Sequence, residues 1–470
     1  MANVSELLAN IRGNTGPTGA AGPRGLPGLE DVPTDPGVAA LVAADDSQTG
    51  IAAQTRIDAS IDPGVTALLG KTSASASALQ VDEYVKANLA DVPLTPTNVW
   101  YGYLLNPRWK TAVERVNSGA GSAKVLCIGD STTYGTSAEM PNGYMNERSW
   151  PTRMAQYLAR NVATSIYGLS VPPSDGSSVP ERTVDSRWVL GAGWTRSSLD
   201  GISLGGMRSA YNGAPGSGPL EFNEPRTSAN RWDIYYLTIT SSTMGQFTAQ
   251  ATGGSAVVVE AGNQPTRGVA KVTISAPASG TGNILSIRNT GASGNIRIIG
   301  IEPYLDGASR IRVANAGSSG STTATWLQQA SGTPPTSDWN VLGFLPTYQP
   351  DLTIIDLGIN DAPTVPVADY LARMQTLANA AYATGSAVLI KTMIPSGGTN
   401  GRREREAEYV QALINDMSPR YPVLDLFNHY GPFERNEARG WMNDTVHGND
   451  AMYYDVGSTV AETLFRYSGH

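Results

Sequence analysis

The chain has few of the residue types on which several classes of protein depend. Its 470 residues include one cysteine and three histidines. A single cysteine excludes an intrachain disulfide, and we expect Cys127 to be buried because it lies in the apolar run Val125–Ile128. No stretch of about 20 apolar residues occurs, so no membrane span is expected. The N-terminus also lacks the basic and apolar segments of a secretory signal.

Positive charge is scarce as well. The 33 lysines and arginines are outnumbered by 41 aspartates and glutamates, which gives a net charge of -8. Nucleic-acid-binding proteins need a surplus of basic side chains to displace counterions, so a nucleic-acid partner is not expected. The sequence contains no His-Glu-x-x-His segment and no cluster of cysteine and histidine, and we therefore expect neither a metal site nor a cofactor.

Glycine, in contrast, is abundant, and near the N-terminus it is regularly spaced. Every third residue from Gly13 to Gly28 is glycine, and prolines stand at positions 17, 23 and 27. Only glycine fits at the axis of a collagen triple helix, so this pattern predicts three chains side by side. The alternative is a flexible Gly/Pro linker that happens to keep the register.

A second repeat follows the glycine-rich segment. Asp35–Val42 recurs as Asp62–Leu69, and each copy is Asp-Pro followed by a short apolar helix. Such helices cannot bury their apolar side chains within one chain, whereas packing between three chains would bury them. We therefore predict that residues 1–95 form a collagen-like and short-helix trimerisation stalk.

This N-terminal stretch resembles the trimeric stalks of bacteriophage tail fibres and minor tail proteins. The resemblance rests on the Gly-x-y run and on the two Asp-Pro-Gly-Val segments. It implies a homotrimer, other tail proteins as partners and a location in the virion. A bacterial cell surface or the cytoplasm is the alternative location.

From Trp100 onward the pattern is that of an α/β domain. Short apolar segments alternate with amphipathic helical segments, which is typical of a parallel sheet covered on both faces. The predicted strands are Lys124–Ile128, Arg310–Ala314, Leu352–Leu357, Ala387–Met393 and Val423–Phe427. We expect this domain to be built in two parts, 96–165 and 306–470.

Residues 166–305 between these parts have a different character. Six β-rich segments separated by Gly/Ser/Asn/Pro turns predict an inserted antiparallel β-sandwich. Its function is expected to be either carbohydrate binding or that of a structural cap. Four aromatic residues are candidates for stacking on sugars, with a place in the core as the alternative for each: Trp188, Trp194, Trp232 and Tyr235.

One serine and a distant pair of an acid and a histidine are suited to nucleophilic catalysis. Ser131 follows the first strand, and function collects at the carboxyl ends of strands in an open parallel sheet. A serine hydroxyl needs a base within hydrogen-bond reach. His447 is the favoured base because Asp444, three residues earlier, can orient its ring. His429 has no carboxylate at close spacing, and His470 is the last residue.

Donors for a tetrahedral oxyanion are expected from Ser131 itself and from two further positions. Asn360 follows the third strand, and Gly320 lies in the loop after the second, where glycine lets its backbone N–H approach a ligand closely. Together with the N–H of Ser131 they would form the oxyanion hole. We expect Asp130 and Gly358 to support the turns that carry these groups.

These motifs resemble the conserved blocks of the SGNH, or GDSL, hydrolases. Gly129-Asp130-Ser131-Thr132 corresponds to the first block, with Thr132 where leucine is usual, and Gly358-Ile359-Asn360-Asp361 to the third. Gly320 and Asp444-x-x-His447 complete the set. The resemblance implies a flavodoxin-like three-layer α/β/α fold and metal-free hydrolysis of acyl esters, often on carbohydrates. The Gly-x-Ser-x-Gly motif that surrounds the nucleophile of α/β-hydrolases is absent around Ser131.

The sequence thus predicts a serine esterase carried on a phage tail fibre. Its expected reaction is removal of O-acyl groups, above all O-acetyl, from a polysaccharide or glycolipid of the host surface. Two alternatives remain open. One is a glycan-binding or structural tail protein without catalysis, and the other is a lipid esterase.

Overall fold

The structure is a computed structural model of the chain. The predicted stalk at 1–95, with its glycine repeat and Asp-Pro segments, lies outside the residues that the structure describes. The described residues are 100–101, 107–137, 148–161, 165–167, 187–198, 209–225, 228–327, 340–398 and 402–466.

The secondary structure alternates between helices and strands at both ends of this region and consists of strands in the middle. Numbered along the chain, the strands are β1 Trp100–Tyr101, β2 Ala123–Gly129, β3 Ser165–Tyr167, β4 Trp188–Leu190, β5 Trp194–Ser198, β6 Ser209–Gly213, β7 Leu220–Asn223, β8 Ala229–Thr238, β9 Gln246–Ala251, β10 Val257–Glu260, β11 Gly268–Gly280, β12 Ile284–Asn289, β13 Ile296–Tyr304, β14 Ile311–Gly317, β15 Leu352–Asp356, β16 Ala387–Lys391 and β17 Val423–Leu424. The helices are α1 Pro107–Asn117, α2 Ser131–Tyr134, α3 Trp150–Asn161, α4 Thr323–Leu327, α5 Val341–Tyr348, α6 Val367–Ala383, α7 Arg402–Ala412, α8 Leu426–Tyr430, α9 Phe433–Ala438 and α10 Asp450–Arg466, and a π-helical turn, Leu413–Met417, follows α7.

The first and last parts of the described chain build one seven-stranded sheet. Its strand order is β1-β17-β16-β15-β2-β14-β3. All neighbours from β17 to β3 are parallel, whereas β1 is antiparallel to β17. Without the short edge strands β1 and β3, the order is the 2-1-3-4-5 of flavodoxin-like folds. The predicted parallel α/β sheet is therefore confirmed.

The sheet is covered on both faces, which explains why its strands are apolar along their whole length. Side chains alternate across a strand, so Val125 and Cys127 of β2 pack into one buried cluster with α1, α3 and α10. Leu126 and Ile128 pack into a second cluster with α5 and α6. Cys127 is fully buried, as expected.

Several of the predicted boundaries differ in the structure, including the end of the first part of the α/β domain and the end of the last predicted strand. Ser165–Tyr167 pairs with β14, so the first part of the α/β domain extends to Tyr167 and includes a strand that was placed in the insert. The predicted strand Val423–Phe427 ends at Leu424. It ends there because the Asp425 side chain accepts a hydrogen bond from the N–H of Asn428 and caps α8.

The insert contains two five-stranded antiparallel sheets. Their orders are β10-β9-β12-β7-β4 and β11-β8-β13-β6-β5. Their buried side chains meet, as in the edge-to-face contact of Tyr236 with Phe247 at 5.2 Å. The sequence predicts the strands from β8 onward but not β4–β7, each of which has no more than five residues.

The aromatic residues proposed for sugar stacking in the insert are buried. Trp188, Trp194, Trp232 and Tyr235 are 1%, 7%, 0% and 0% exposed. Trp188 packs edge-to-face on Phe222, and the Trp194 indole donates to the Gly218 carbonyl. A buried ring cannot stack on a sugar, so these four residues take the alternative given for each of them, a place in the core.

The insert contacts the α/β domain through both apolar and polar side chains. Tyr235 of β8 packs against Phe344 and Tyr348 of α5. The Tyr348 hydroxyl lies 3.2 Å from Glu302, which also pairs with Arg312 at 3.4 Å. Among the residues described, no helix is both long and apolar enough to span a membrane.

Candidate active site

Ser131 lies at the carboxyl end of the interior strand β2 and begins the short helix α2. Asp130 caps this helix, because its side chain accepts hydrogen bonds of 2.9 Å from both the N–H and the hydroxyl of Thr132. This holds the turn between β2 and α2 in one conformation. The expectation that Asp130 supports the turn agrees with these contacts.

His447 and Asp444 meet Ser131 in one hydrogen-bonded chain. The Oγ of Ser131 is 2.8 Å from Nε2 of His447, and Nδ1 of the same ring is 2.8 Å from Oδ2 of Asp444. His429, the other candidate base, packs edge-to-face on Tyr430, and burial lowers the pKa of its ring. The structure therefore brings together the three residues that the sequence analysis named.

The acid and the histidine lie at the tip of a short hairpin. Met442 bridges to Gly448, and the Asn449 N–H donates to the Trp441 carbonyl at 2.8 Å. Oδ1 of Asp444 accepts hydrogen bonds of 2.7 Å from the N–H groups of Val446 and His447. Hydrogen bonds therefore hold both oxygens of the Asp444 carboxylate. Oδ1 bonds to the backbone, and Oδ2 bonds to the His447 ring.

These donors also keep Asp444 ionised. Its partial burial alone would raise the pKa of the carboxyl, but the hydrogen bonds from the His447 ring and from the two N–H groups outweigh burial and lower it. A charged carboxylate at Nδ1 selects the tautomer in which Nε2 carries a lone pair. Nε2 can then accept a proton from Ser131.

The loop that carries Gly320 lies beside the end of β2. The Ser318 N–H donates to the Gly129 carbonyl at 3.0 Å, and Asn360 Nδ2 donates to the Ser321 carbonyl at 3.0 Å. Gly320 has a φ of +73° and nothing lies within 4 Å of a Cβ built on it, so backbone conformation rather than lack of space requires glycine there. Asn360 and the Gly320 loop are thus joined directly next to the β2–α2 turn.

Gly358 and Asp361 hold the turn around Asn360. Gly358 has a φ of +136°, and a Cβ there would lie 2.6 Å from the Met393 side chain. The buried Asp361 carboxylate accepts from both the N–H and the hydroxyl of Thr323, the latter at 2.6 Å. Asp361 therefore connects the turn after β15 to the first residue of α4. The sequence alone does not predict this role of Asp361.

A buried charged cluster below the serine was also missed. Asp356, at the end of β15, pairs with Lys391 of β16 at 2.8 Å, and both side chains are at most 2% exposed. Oδ2 of Asp356 accepts from Thr133 of α2 at 2.8 Å and from the Trp150 indole of α3 at 3.2 Å. One carboxylate thus connects the serine-bearing helix to a neighbouring strand and a neighbouring helix.

Asp130 is a second acid in the same buried region. Burial raises its pKa to about 7, the charge of Asp356 adds to the rise, and the Thr132 hydrogen bonds oppose it. The unfolded chain releases this proton near pH 4. Between about pH 4 and 7 the folded state therefore binds more protons at Asp130 than the unfolded state, and this group makes folding less favourable as pH rises through that window.

The sequence does contain a signal for this cluster. Asp356 and Lys391 each end a strand that has no other charged residue. Charged groups are almost never fully buried unless they are paired. Among the residues described, no group of three or more His, Cys, Asp or Glu side chains is arranged to hold a metal ion.

Comparison with known proteins relates the second part of the chain to a family of esterases. Residues 290–454 match the GDSL-like Lipase/Acylhydrolase family. The match confirms the family resemblance for this stretch, which contains Gly320, Asn360, Asp444 and His447. Ser131 lies outside it, on the far side of the insert, and only the fold brings it to His447. No curated protein matches the chain.

A solved structure shares the fold. A peptidoglycan O-acetylesterase superposes with a TM-score of 0.59 at 16% identity, over 79% of this chain and 99% of that one. A family two carbohydrate esterase from Clostridium thermocellum aligns at 11% identity over 59% of this chain and 98% of that one, with a TM-score of 0.25. The first likeness shows a common fold, and the second is too low in TM-score to bear on it.

Proposed function

We propose that this protein is a serine esterase that removes O-acyl groups, above all O-acetyl groups, from a glycan. The observation that carries the proposal is the chain of two 2.8 Å contacts from Ser131 through His447 to Asp444. The family match of residues 290–454 and the fold shared with a peptidoglycan O-acetylesterase support it.

In this proposal Ser131 is the nucleophile. His447 Nε2 takes the hydroxyl proton as Oγ attacks the ester carbonyl, and Asp444 stabilises the imidazolium that forms. The N–H groups of Ser131 and Gly320 and the Asn360 side-chain amide stabilise the tetrahedral oxyanion. His447 then returns the proton to the departing sugar hydroxyl. Water, activated by the same ring, releases the acyl group from Ser131 as a carboxylic acid.

Release of acetate tests the proposed substrate class. Purified full-length protein is incubated with O-acetylated peptidoglycan, with an O-acetylated surface polysaccharide and with short- and long-chain p-nitrophenyl esters. We expect acetate from at least one glycan and a preference for acetyl over long acyl chains. Preference for long chains would favour the lipid esterase, and no turnover of any ester would favour a binding protein. The Ser131→Ala variant is the control for acetate release that does not depend on the proposed nucleophile.

Replacement of Asn360 tests the proposed oxyanion hole. We expect Asn360→Ala to lower kcat by roughly 10²–10³ with little change in KM, because the amide acts on charge that develops in the transition state. Initial rates on p-nitrophenyl acetate measure both constants. A higher KM with unchanged kcat would instead make Asn360 a residue that positions the substrate.

We further propose that residues 1–95 form a trimeric stalk and that the esterase is carried on a phage tail fibre, where it acts on host surface glycan. The glycine repeat at Gly13–Gly28 supports this proposal. A collagen-like run is stable only as three chains, whereas the α/β domain has its own buried core.

The oligomeric state tests this proposal. In multi-angle light scattering we expect a trimer for the full chain and a monomer for a chain that starts near Val99, with activity on small esters retained by both. A monomeric full chain would contradict the triple helix and remove most of the case for a tail fibre. A trimeric truncated chain would locate the trimer contacts in the remaining domains.

A further inference from the structure

A cleft lies beside the hairpin that carries Asp444 and His447 and has no part in the chemistry above. Its volume is about 610 Å³, within the range of ligand sites and too large for a single ion or water. It is lined by the base of the hairpin, by the start of α10 and by Arg153 of α3. Trp441 and Asn449, at the two sides of the hairpin base, both line it.

The hairpin limits how far this cleft can lie from the reacting atoms. Trp441 is three residues before Asp444, so their Cα atoms are at most about 11 Å apart. Tyr453, next to the cleft residue Tyr454, donates its hydroxyl to the Thr136 carbonyl just beyond the serine-bearing helix. The cleft therefore adjoins the hairpin that carries Asp444 and His447.

Two aromatic rings form the apolar part of the cleft. Tyr454 is 45% exposed, and besides Val258 no other large apolar side chain of the described chain is as open to solvent. Arg153 lies over the Tyr454 ring at 5.9 Å. Trp441 is fixed by the edge of Tyr430 at 6.2 Å and by Arg439 at 5.0 Å. Rings held in this way lose little entropy when a ligand stacks on them.

The polar part of the cleft carries balanced charge. Asp450 pairs with Arg153 and, at 3.5 Å, with Arg148. Oδ2 of Asp455 accepts from the Tyr430 hydroxyl at 2.9 Å, whereas Oδ1 has no hydrogen bond within the described residues. The cleft lining holds two acids and one arginine, and Arg148, which pairs with Asp450 from outside the lining, balances the second acid. The cleft therefore presents acceptors and donors without a strong net field for a charged polymer.

We propose that this cleft binds a neutral stretch of carbohydrate next to the acylated sugar of the substrate. Aromatic rings stack on the C–H faces of sugar rings, and carboxylate and guanidinium groups bind their hydroxyls. The inference rests on the proposed esterase function, since the cleft serves to hold the polymer whose ester is cleaved at Ser131. Its ligand is the glycan chain itself and carries no ester.

Binding of oligosaccharides without an ester tests the cleft separately from catalysis. Chitohexaose, cellohexaose and maltohexaose are each titrated into the full-length protein by calorimetry and NMR, which together detect Kd values up to about 1 mM. We expect at least one to bind. Tyr454→Ala should raise its Kd about tenfold, whereas the matched variant Tyr454→Phe, which keeps the ring, should bind as the parent does.

Two outcomes would overturn the proposal. One is no binding of any of the three hexasaccharides, and the other is equal binding by the Tyr454→Ala and Tyr454→Phe variants, which would locate sugar binding elsewhere. Thermal unfolding of both variants checks that the fold is retained. A hexasaccharide could bind in a way that depends on the Tyr454 ring while the protein does not turn over p-nitrophenyl acetate. That result would support sugar binding in the cleft and contradict the proposed esterase function.

Discussion

Replacement of Ser131 by alanine is expected to lower kcat on p-nitrophenyl acetate by at least about 10⁴-fold. The reason is that nucleophile and base act as one unit, so the loss of either removes nearly all of the rate that both supply. The unfolding midpoint should barely change, because the hydroxyl makes its one described hydrogen bond to His447. Steady-state rates and thermal denaturation measure the two effects.

The histidines provide the matched control for this result. His447→Ala should lose about as much turnover as Ser131→Ala, and the double variant should lose no more than either, since the two side chains act together. His429→Ala should keep its turnover, because this ring packs on Tyr430 and not on the serine. Loss of activity in His429→Ala, with His447→Ala still active, would refute the assignment.

The second large effect is the loss of stability that we expect when Lys391 is replaced. Lys391→Met should reduce the free energy of unfolding by about 3–5 kcal/mol, because it leaves the buried Asp356 carboxylate without its cation. Asp130, already raised in pKa by burial and by Asp356, would lie in a still more negative region. Urea denaturation followed by circular dichroism measures the change.

Removing both partners of the ion pair shows whether Lys391→Met destabilises the fold through an unpaired buried charge or through poorer packing. The double variant Asp356→Asn/Lys391→Met carries no ion at either position, and we expect it to recover most of the lost stability. The asparagine can still accept hydrogen bonds from Thr133 and Trp150, which Asp356 does in the parent. A double variant as unstable as Lys391→Met would mean that the lysine matters through its packing.

Much of the site could be predicted because parallel strands carry their functional groups at one edge. Ser131 follows β2, and Asn360 follows β15, so both meet at the carboxyl edge of the sheet. The choice of histidine depended on local spacing, since three residues separate Asp444 from His447. These inferences used only strand periodicity and short turns, which the sequence determines directly.

Other features depended on which strands became neighbours. The register of the sheet pairs Asp356 with Gly129 and Ile355 with Ile390, and so brings Asp130, Asp356 and Lys391 together from three distant segments. Periodicity gives the faces of each strand and does not give its partners. The edge strands β1 and β3 were missed for the same reason, because two or three residues show no periodic pattern and become strands only when a partner is present.

By itself, the sequence determined the alternation of strands and helices, the glycine repeat and the spacing of Asp444 and His447, since each is a local property of the chain. Only the tertiary structure decided the contact of Ser131 with His447 across 316 residues. It also decided the burial of the insert's tryptophans and the exposure of Tyr454. An aromatic residue is equally compatible with a core and with a binding surface, and packing against the rest of the fold determines which of the two it joins.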